Sequence, residues 1–315
     1  MSTAQAAGVA PEQPGPGLAA SNAGRVWYEQ AICVALWTCA AISVVTTVGI
    51  VAVLLIESLQ FFTEVSIVEF FTSTKWTPLF LDKNYGILPL ACGTLLVTAG
   101  ALLVATPIGL GTAIYLSEYA SPAVRATVKP VLEVLAGIPS VVYGVVAVTT
   151  ISPVIKQVFG AESIFTAASA SIVVGFMILP MIVSLSEDVL RSVPRALREA
   201  AYALGSTKFD VTAKVIVPAA LSGIVASVLL AASRAIGETM AVTLAAGGQP
   251  KMTLNPLDSV QTMTAYIVQV SSGDTPSGTP EYRTIFAVGL TLFVSTLVLN
   301  AVAQLIVSRM RERYE

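Results

Sequence analysis

SEDVLRSVPRALREAAYALGSTKFDVTAKVIVPAALSG, residues 186–223, is the polar interruption between two long apolar runs, 163–186 and 218–246. Its punctuation is that of two short helices rather than a simple linker. Pro194 can open a first helix, Gly205 can end it, and Ser206 or Thr207 can cap the next. In the first, Val193, Leu197, Ala201 and Leu204 recur at three- and four-residue spacing, while Arg191, Arg195, Arg198 and Glu199 fall largely elsewhere around the helix. One greasy face and one charged face suit a segment beside a membrane that packs on the spans and offers charge to a cytoplasmic partner. A helix lying on lipid headgroups would show the same pattern, so amphipathicity alone does not choose between the two.

The rest of the chain supplies the membrane. Of its 315 residues 55% are apolar and 11% charged, which lies outside the usage of soluble globular domains. A helix needs about 20 apolar residues to cross about 30 Å of hydrocarbon. Runs at about 30–56, 87–116, 129–152, 163–186, 218–246 and 284–308 meet that length. The expected fold class is an all-α integral membrane protein with six transmembrane helices and both termini on one side. Arg25, Arg125, Lys129, Arg191, Arg195, Arg198, Lys208, Lys214, Arg309, Arg311 and Arg313 fall on that side, against Lys75, Lys83, Lys156, Lys251 and Arg283 on the other. Cytoplasmic loops carry the excess of Lys and Arg, so the termini and the 187–217 loop are assigned to the cytoplasm.

Residues 1–24, rich in Ala, Gly, Pro and Ser, are expected to be a disordered cytoplasmic tail ahead of a permease domain over 25–315. They lack the basic and then apolar pattern of a cleavable signal, so the first apolar helix is expected to act as the insertion signal. The outside loops 57–86 and 247–283 are long, and the second contains SSGDTPSGTP at 271–280. They are either solvated connections or a lid or docking surface.

Several functions are disfavoured at this point. The chain has no histidine, which removes His-based triads and His-metal sites. Cys33, Cys39 and Cys92 lie in apolar stretches without metal-ligand spacing and are expected to pack in the core. A net charge of -2 with no basic face gives no reason to expect nucleic acid. No G-x4-G-K-[ST] run occurs, so nucleotide phosphates have no P-loop in this chain, and no cofactor or metal is expected.

The literal string E-A-A-x3-G-x9-V-I-V-P, from Glu199 through Gly205 to Pro218, resembles the cytoplasmic signature of permease subunits in binding-protein-dependent ABC importers. Val215 and Val217 stand where that family usually has Ile and Leu, a departure that keeps apolar packing. The resemblance runs from the second span onward and implies a type I ABC importer permease fold. It also implies that Glu199 faces an ATPase, and that Ala200, Ala201 and Gly205 allow close backbone approach ahead of Pro218.

Inside the fifth apolar run, Arg234 and Glu238 interrupt an otherwise apolar sequence. A charge near the bilayer centre costs at least about 2.5–3.5 kcal/mol on the insertion scale, so such residues normally face a polar cavity or a partner. Four residues apart on a helix, the two are close enough to pair. They are either a structural ion pair or part of an anion path, with Glu133, early in the third run, as a third candidate. An arginine fork suits an oxyanion because it donates two parallel hydrogen bonds and stays charged. Gly137, Pro139 and Gly144, with Pro107, Gly109 and Gly111, are expected to permit close helix contact and local kinks.

R-A-I-G-E-T-M-A-V, Arg234–Val242, resembles the fifth span of PstC-type permeases of the phosphate-specific transport system. L-E-V-L-A-G-I-P-S-V-V-Y-G, Leu132–Gly144, looks like the third-span signature of phosphate permeases. The resemblance implies a translocation role for Arg234 and Glu238. It implies a bacterial inner-membrane machine with a paralogous permease subunit as heterodimer partner, two ATP-binding cassette subunits, and a periplasmic or lipid-anchored phosphate-binding protein. Inorganic phosphate would be its cargo. A permease for another oxyanion, molybdate or sulfate, and a six-span channel or carrier without an ATPase remain the alternatives.

Overall fold

Proline and glycine divide the apolar sequence into helices of very different length. The computed structural model describes residues 22–310, with side chains described from 27 to 309. Two compact units divide the chain after Val53. Up to that point α1, Asn22–Glu64, is an uninterrupted apolar helix whose large side chains, Trp27, Trp37 and Val45 among them, are exposed. Cys33 and Cys39 are exposed there too, so the expected core packing holds for neither; only Cys92 is half-buried. The tail expected over 1–24 lies outside the described residues, save that Asn22–Gly24 already belong to α1.

In the second unit the last turns of α1 meet α2, Ile67–Thr72, and an antiparallel bridge between Trp76 and Tyr85. α3, Leu88–Ile114, runs on through a π-helical turn at Tyr115–Tyr119. α4 is Pro122–Gly137, capped by Ser121. Next come α5, Ser140–Val146, and α6, Ser152–Phe159, joined by a π-helical turn, and then the long α7, Ala167–Ser192. α8 is Arg195–Ala203 and α9 is Lys208–Val211, continued by a π-helical turn into α10, Val217–Ala219. α11, Leu221–Ile236, α12, Met240–Ala245, α13, Met263–Ser271, and α14, Pro280–Met310, complete the order. Five of these helical stretches are long and apolar enough to cross a membrane. Lys208–Ala219 with Leu221–Ile236, bent by 66°, makes a sixth.

Two expected spans are broken. The run 129–152 is not one helix: it ends at Gly137, and Ile138 and Pro139 are extended at ψ 129° and 136° before α5 begins. Proline has no N–H to donate and pushes the residue before it out of the α region, which forces the break. The crossing helix is therefore Ser140–Phe159, and α4, which bears Arg125, Lys129 and Glu133, stands apart from it. The run 218–246 breaks at Gly237–Thr239, between α11 and α12.

α3 and α7 form the centre of the unit. A Cβ added at Gly100 would stand 2.4 Å from Ser171 Oγ, so only glycine admits this approach. Val97, Ala101, Val174, Ile178 and Ile182 of these helices pack with Ala231 of α11 and Ala241 of α12 in one buried cluster. At the outer end a second cluster is aromatic: Phe61, Phe70, Trp76, Tyr85 and Tyr266 are all buried. Trp76 meets Tyr266 edge-on at 4.9 Å, and burial holds the Tyr266 phenol well above its ordinary pKa. The outside loops are thus partly folded over a core of their own rather than wholly solvated.

Candidate functional site

At the cytoplasmic end, α8 and the α9 that follows it are held by three kinds of contact. Val193 and Ala201 are buried and Leu197 is partly buried against α3, α4 and α7 residues such as Leu116, Leu132 and Leu190. Arg198 Nη1 donates to both oxygens of Glu118 at 2.7 and 2.9 Å, and its Nη2 donates to the Leu190 carbonyl at 2.7 Å. That carbonyl is in the last turn of α7, where a cation is favoured. Lys208 lies over the Tyr119 ring at 4.8 Å. Glu118 and Tyr119 lie in the π-helical turn that continues α3, so these contacts tie α8 and α9 to the ends of α3 and α7.

The turn after α8 follows from its residues. Gly205 has φ +78°, its N–H donates to Tyr202 O at 2.9 Å, and the Ser206 N–H donates to Ala201 O at 3.3 Å. These are the two bonds of a Schellman cap with glycine in the left-handed position. Thr207 Oγ1 then accepts from Asp210 N at 3.2 Å and donates to Asp210 Oδ2 at 2.6 Å, a reciprocal cap for α9. Leu204 does not join the greasy face expected of it. The helix closes at Ala203, the cap turns the chain, and Leu204 is 87% exposed beside Phe209 at 71%. Glu199, Ala200, Gly205 and Pro218 are exposed and Ala201 is buried.

Glu187, just past the apolar run 163–186, organises the neighbouring ground. It is 2% exposed and faces Arg125 at 2.7 Å, Lys129 at 3.1 Å and Arg191 at 3.7 Å, while Asp188 takes Lys129 at 3.0 Å. A buried carboxylate carries a desolvation penalty of several kcal/mol, so it persists only because these cations surround it. The usable signal was the run of cations at four-residue spacing in 125–129, which needs an acidic partner from another helix.

Arg125, Lys129 and Glu133, four residues apart on α4, share one helix face. With Ser184 and Glu187 of α7 and Leu230 of α11 they line a cavity of about 330 Å³ whose remaining walls are apolar. Arg234 and Glu238 are not among its lining residues. Arg234 is exposed, one turn beyond Leu230 on α11, and makes no ion pair among the described residues. The expected Arg234–Glu238 pair is absent because the helix ends at Gly237: Glu238 Oε1 instead accepts from Ala241 N at 3.2 Å, capping α12. The structure thus gathers Glu133 with new cations and separates Arg234 from Glu238. Among the described residues no group of three or more His, Cys, Asp or Glu side chains could hold a metal.

Known proteins are similar to this chain. The family described as "Binding-protein-dependent transport system inner membrane component" matches residues 105–312. A Bacillus subtilis protein named "Probable ABC transporter permease protein YqgH" is 37% identical over 273 residues, 86% of this chain and 88% of that one. "Phosphate transport system permease protein PstC" of Mesorhizobium japonicum is 33% identical over 263 residues, 78% of this chain and 79% of that one. Among solved structures, one of inward-facing conformations of the MetNI methionine ABC transporter superposes with a TM-score of 0.53 at 16% identity. It covers 72% of this chain and 95% of its own, a likeness of fold alone.

Proposed function

We propose a function from one premise: the chain belongs to the inner membrane components of binding-protein-dependent transport systems, and is a permease subunit of an ATP-driven importer. Its cargo, in our reading, is inorganic phosphate. Relatives named for phosphate transport support this over most of the chain, as does the Arg234–Val242 string. The observation that carries the reading is Arg234 itself, an exposed guanidinium on an apolar helix with no ion-pair partner among the described residues. Such a residue normally faces a polar cavity or a partner, and the anion path supplies both.

Half of the pathway is then formed by this chain and half by a paralogous permease. Of the two ATP-binding cassette subunits one docks on this chain at Glu199, Ala200, Gly205 and Pro218, where Leu204 and Phe209 project and the buried Ala201 lies behind them, and a phosphate-binding protein docks outside. Transport is alternating access: closure of the ATPase dimer moves α8, and Arg198 passes that movement to α3 and α7. Arg234 meets the anion in the membrane, Glu238 shapes the break beside it, and Glu133 lies with Arg125 and Lys129 toward the cytoplasm.

Phosphate uptake into vesicles holding the whole complex tests this. Arg234→Ala is expected to abolish uptake, and Arg234→Lys to lower it about tenfold or more by removing the fork while keeping the charge. Uptake by the lysine variant equal to wild type would refute fork recognition. Uptake of molybdate or sulfate in preference to phosphate would assign the machine to the other oxyanions.

A further inference from the structure

A second cavity, of about 560 Å³, lies between the start of α4, the end of α7 and α8. Arg125, Arg191, Arg195 and Arg198 line it, with the hydroxyl-bearing Ser117 and Tyr202, and Glu199 stands among them. Carboxylates answer these arginines unevenly. Glu118 is committed to Arg198 through both oxygens, and Glu187 is divided among Arg125, Arg191 and Lys129. Arg195 has no ion-pair partner among the described residues, and Arg191 reaches Glu187 only at 3.7 Å. Among the described residues the Nε of Arg125 is buried with no hydrogen-bond acceptor. A buried donor left unmade costs about 1–3 kcal/mol, more for a charged group, and several guanidinium forks around one space are the arrangement that takes a tetrahedral oxyanion.

We propose that this cavity binds a phosphate group on the cytoplasmic side, either free orthophosphate or the phosphodiester headgroup of an anionic phospholipid. The guest accepts from Arg191 and Arg195, with the charge of Arg125 beside them. It thereby bridges α4, α7 and α8, the elements whose relative position sets α8. This binding is independent of Arg234 and of the transport reading.

The test uses the purified complex of this chain with its partner permease and ATPase subunits, without nucleotide. Two probes are applied: radiolabelled orthophosphate in solution, and phosphatidylglycerol retained after extraction from phosphatidylcholine vesicles with and without that lipid, read by native mass spectrometry. Wild type and Arg234→Ala are both expected to bind one of the probes and to gain thermal stability with it. Arg191→Gln/Arg195→Gln is expected to bind about tenfold more weakly or worse, a loss of about 1.4 kcal/mol or more. Arg191→Lys/Arg195→Lys, which keeps charge without forks, is expected to fall between. Orthophosphate binding lost in the glutamine pair identifies the free ion, and phosphatidylglycerol lost identifies the lipid. The proposal is overturned if the glutamine pair matches wild type with both probes, or if Arg234→Ala alone removes the binding, which would place the anion in the pathway instead.

Discussion

The two ends of the second unit are closed by opposite kinds of interaction. Outside, Phe61, Phe70, Trp76, Tyr85 and Tyr266 bury rings against one another; at the cytoplasmic end, Glu118 and Glu187 collect Arg125, Lys129, Arg191 and Arg198. Ring burial is non-directional, indifferent to salt, and lost only by exposing area to water. An ion pair can change partners, since water or another charge recovers much of what is given up. The end that the proposed ATPase acts on is the exchangeable one, and the end facing the proposed binding protein is the fixed one.

Trp76→Ala strikes the fixed end and carries the largest expected effect. The ring is 2% exposed, and truncating a buried aromatic costs about 3–5 kcal/mol. The melting temperature of the purified complex should fall sharply, and by the same amount at low and high salt. Equal tolerance of Trp76→Ala and of a surface alanine would show that the outer cluster holds nothing.

Glu187→Gln strikes the exchangeable end. Removing one partner from a buried pair costs about 3–5 kcal/mol, and this carboxylate faces three cations, but exposure of the cations softens the effect toward the lower bound. Its destabilisation should shrink as chloride is added, since screening eases repulsion among Arg125, Lys129 and Arg191. A salt-independent loss would mean that packing rather than charge holds α4 to α7.

The same contrast explains what was legible in the sequence. Span number, the α8 and α9 caps, and the left-handed Gly205 follow from local residue chemistry, and they could be read. Three departures from the sequence pattern share one cause, a helical period that stops before the apolar residues do: α8 closes before Leu204 can join its face, Gly237 ends the helix between Arg234 and Glu238, and Pro139 interrupts 129–152. Glu187 could not be assigned because its partners Arg125 and Lys129 come from a helix about sixty residues earlier, and only folding brings them together.

Gly205→Ala gives a smaller and more informative change at the join of the two helices. A Cβ there meets nothing within 4 Å, so the cost is confined to the backbone at φ +78°, about 1–2 kcal/mol. Thermal stability should drop slightly, while phosphate uptake per ATP hydrolysed should drop much more if, as proposed, the ATPase docks on this turn. Gly205→Asn, better tolerated in the left-handed region, should recover part of both. Uptake per ATP that falls no further than stability would leave the Gly205 turn without a coupling role.

The weakest expected effect lies outside, in the loop between α12 and α13, and it shows that this end is not aromatic throughout. Asp258 accepts from Lys251 at 2.8 Å and from Thr253 at 2.6 Å, and these bonds, Lys251 first, hold its carboxyl below the usual aspartate range. A depressed folded pKa means that the stabilisation is fully present above the unfolded value, about 3.9, and fades as pH falls through the folded one. Hydrogen exchange at 251–258 should therefore be constant from neutral pH down to about 5, after correction for intrinsic rates, and lose protection below about 4. Asp258→Asn should show the low-pH exchange at every pH, with the Trp76 cluster unaffected in both. If protection at 251–258 proved indifferent to pH, the loop would be held by its backbone bonds to the core, such as Val260 N to Ala246 O at 3.0 Å, rather than by its charge.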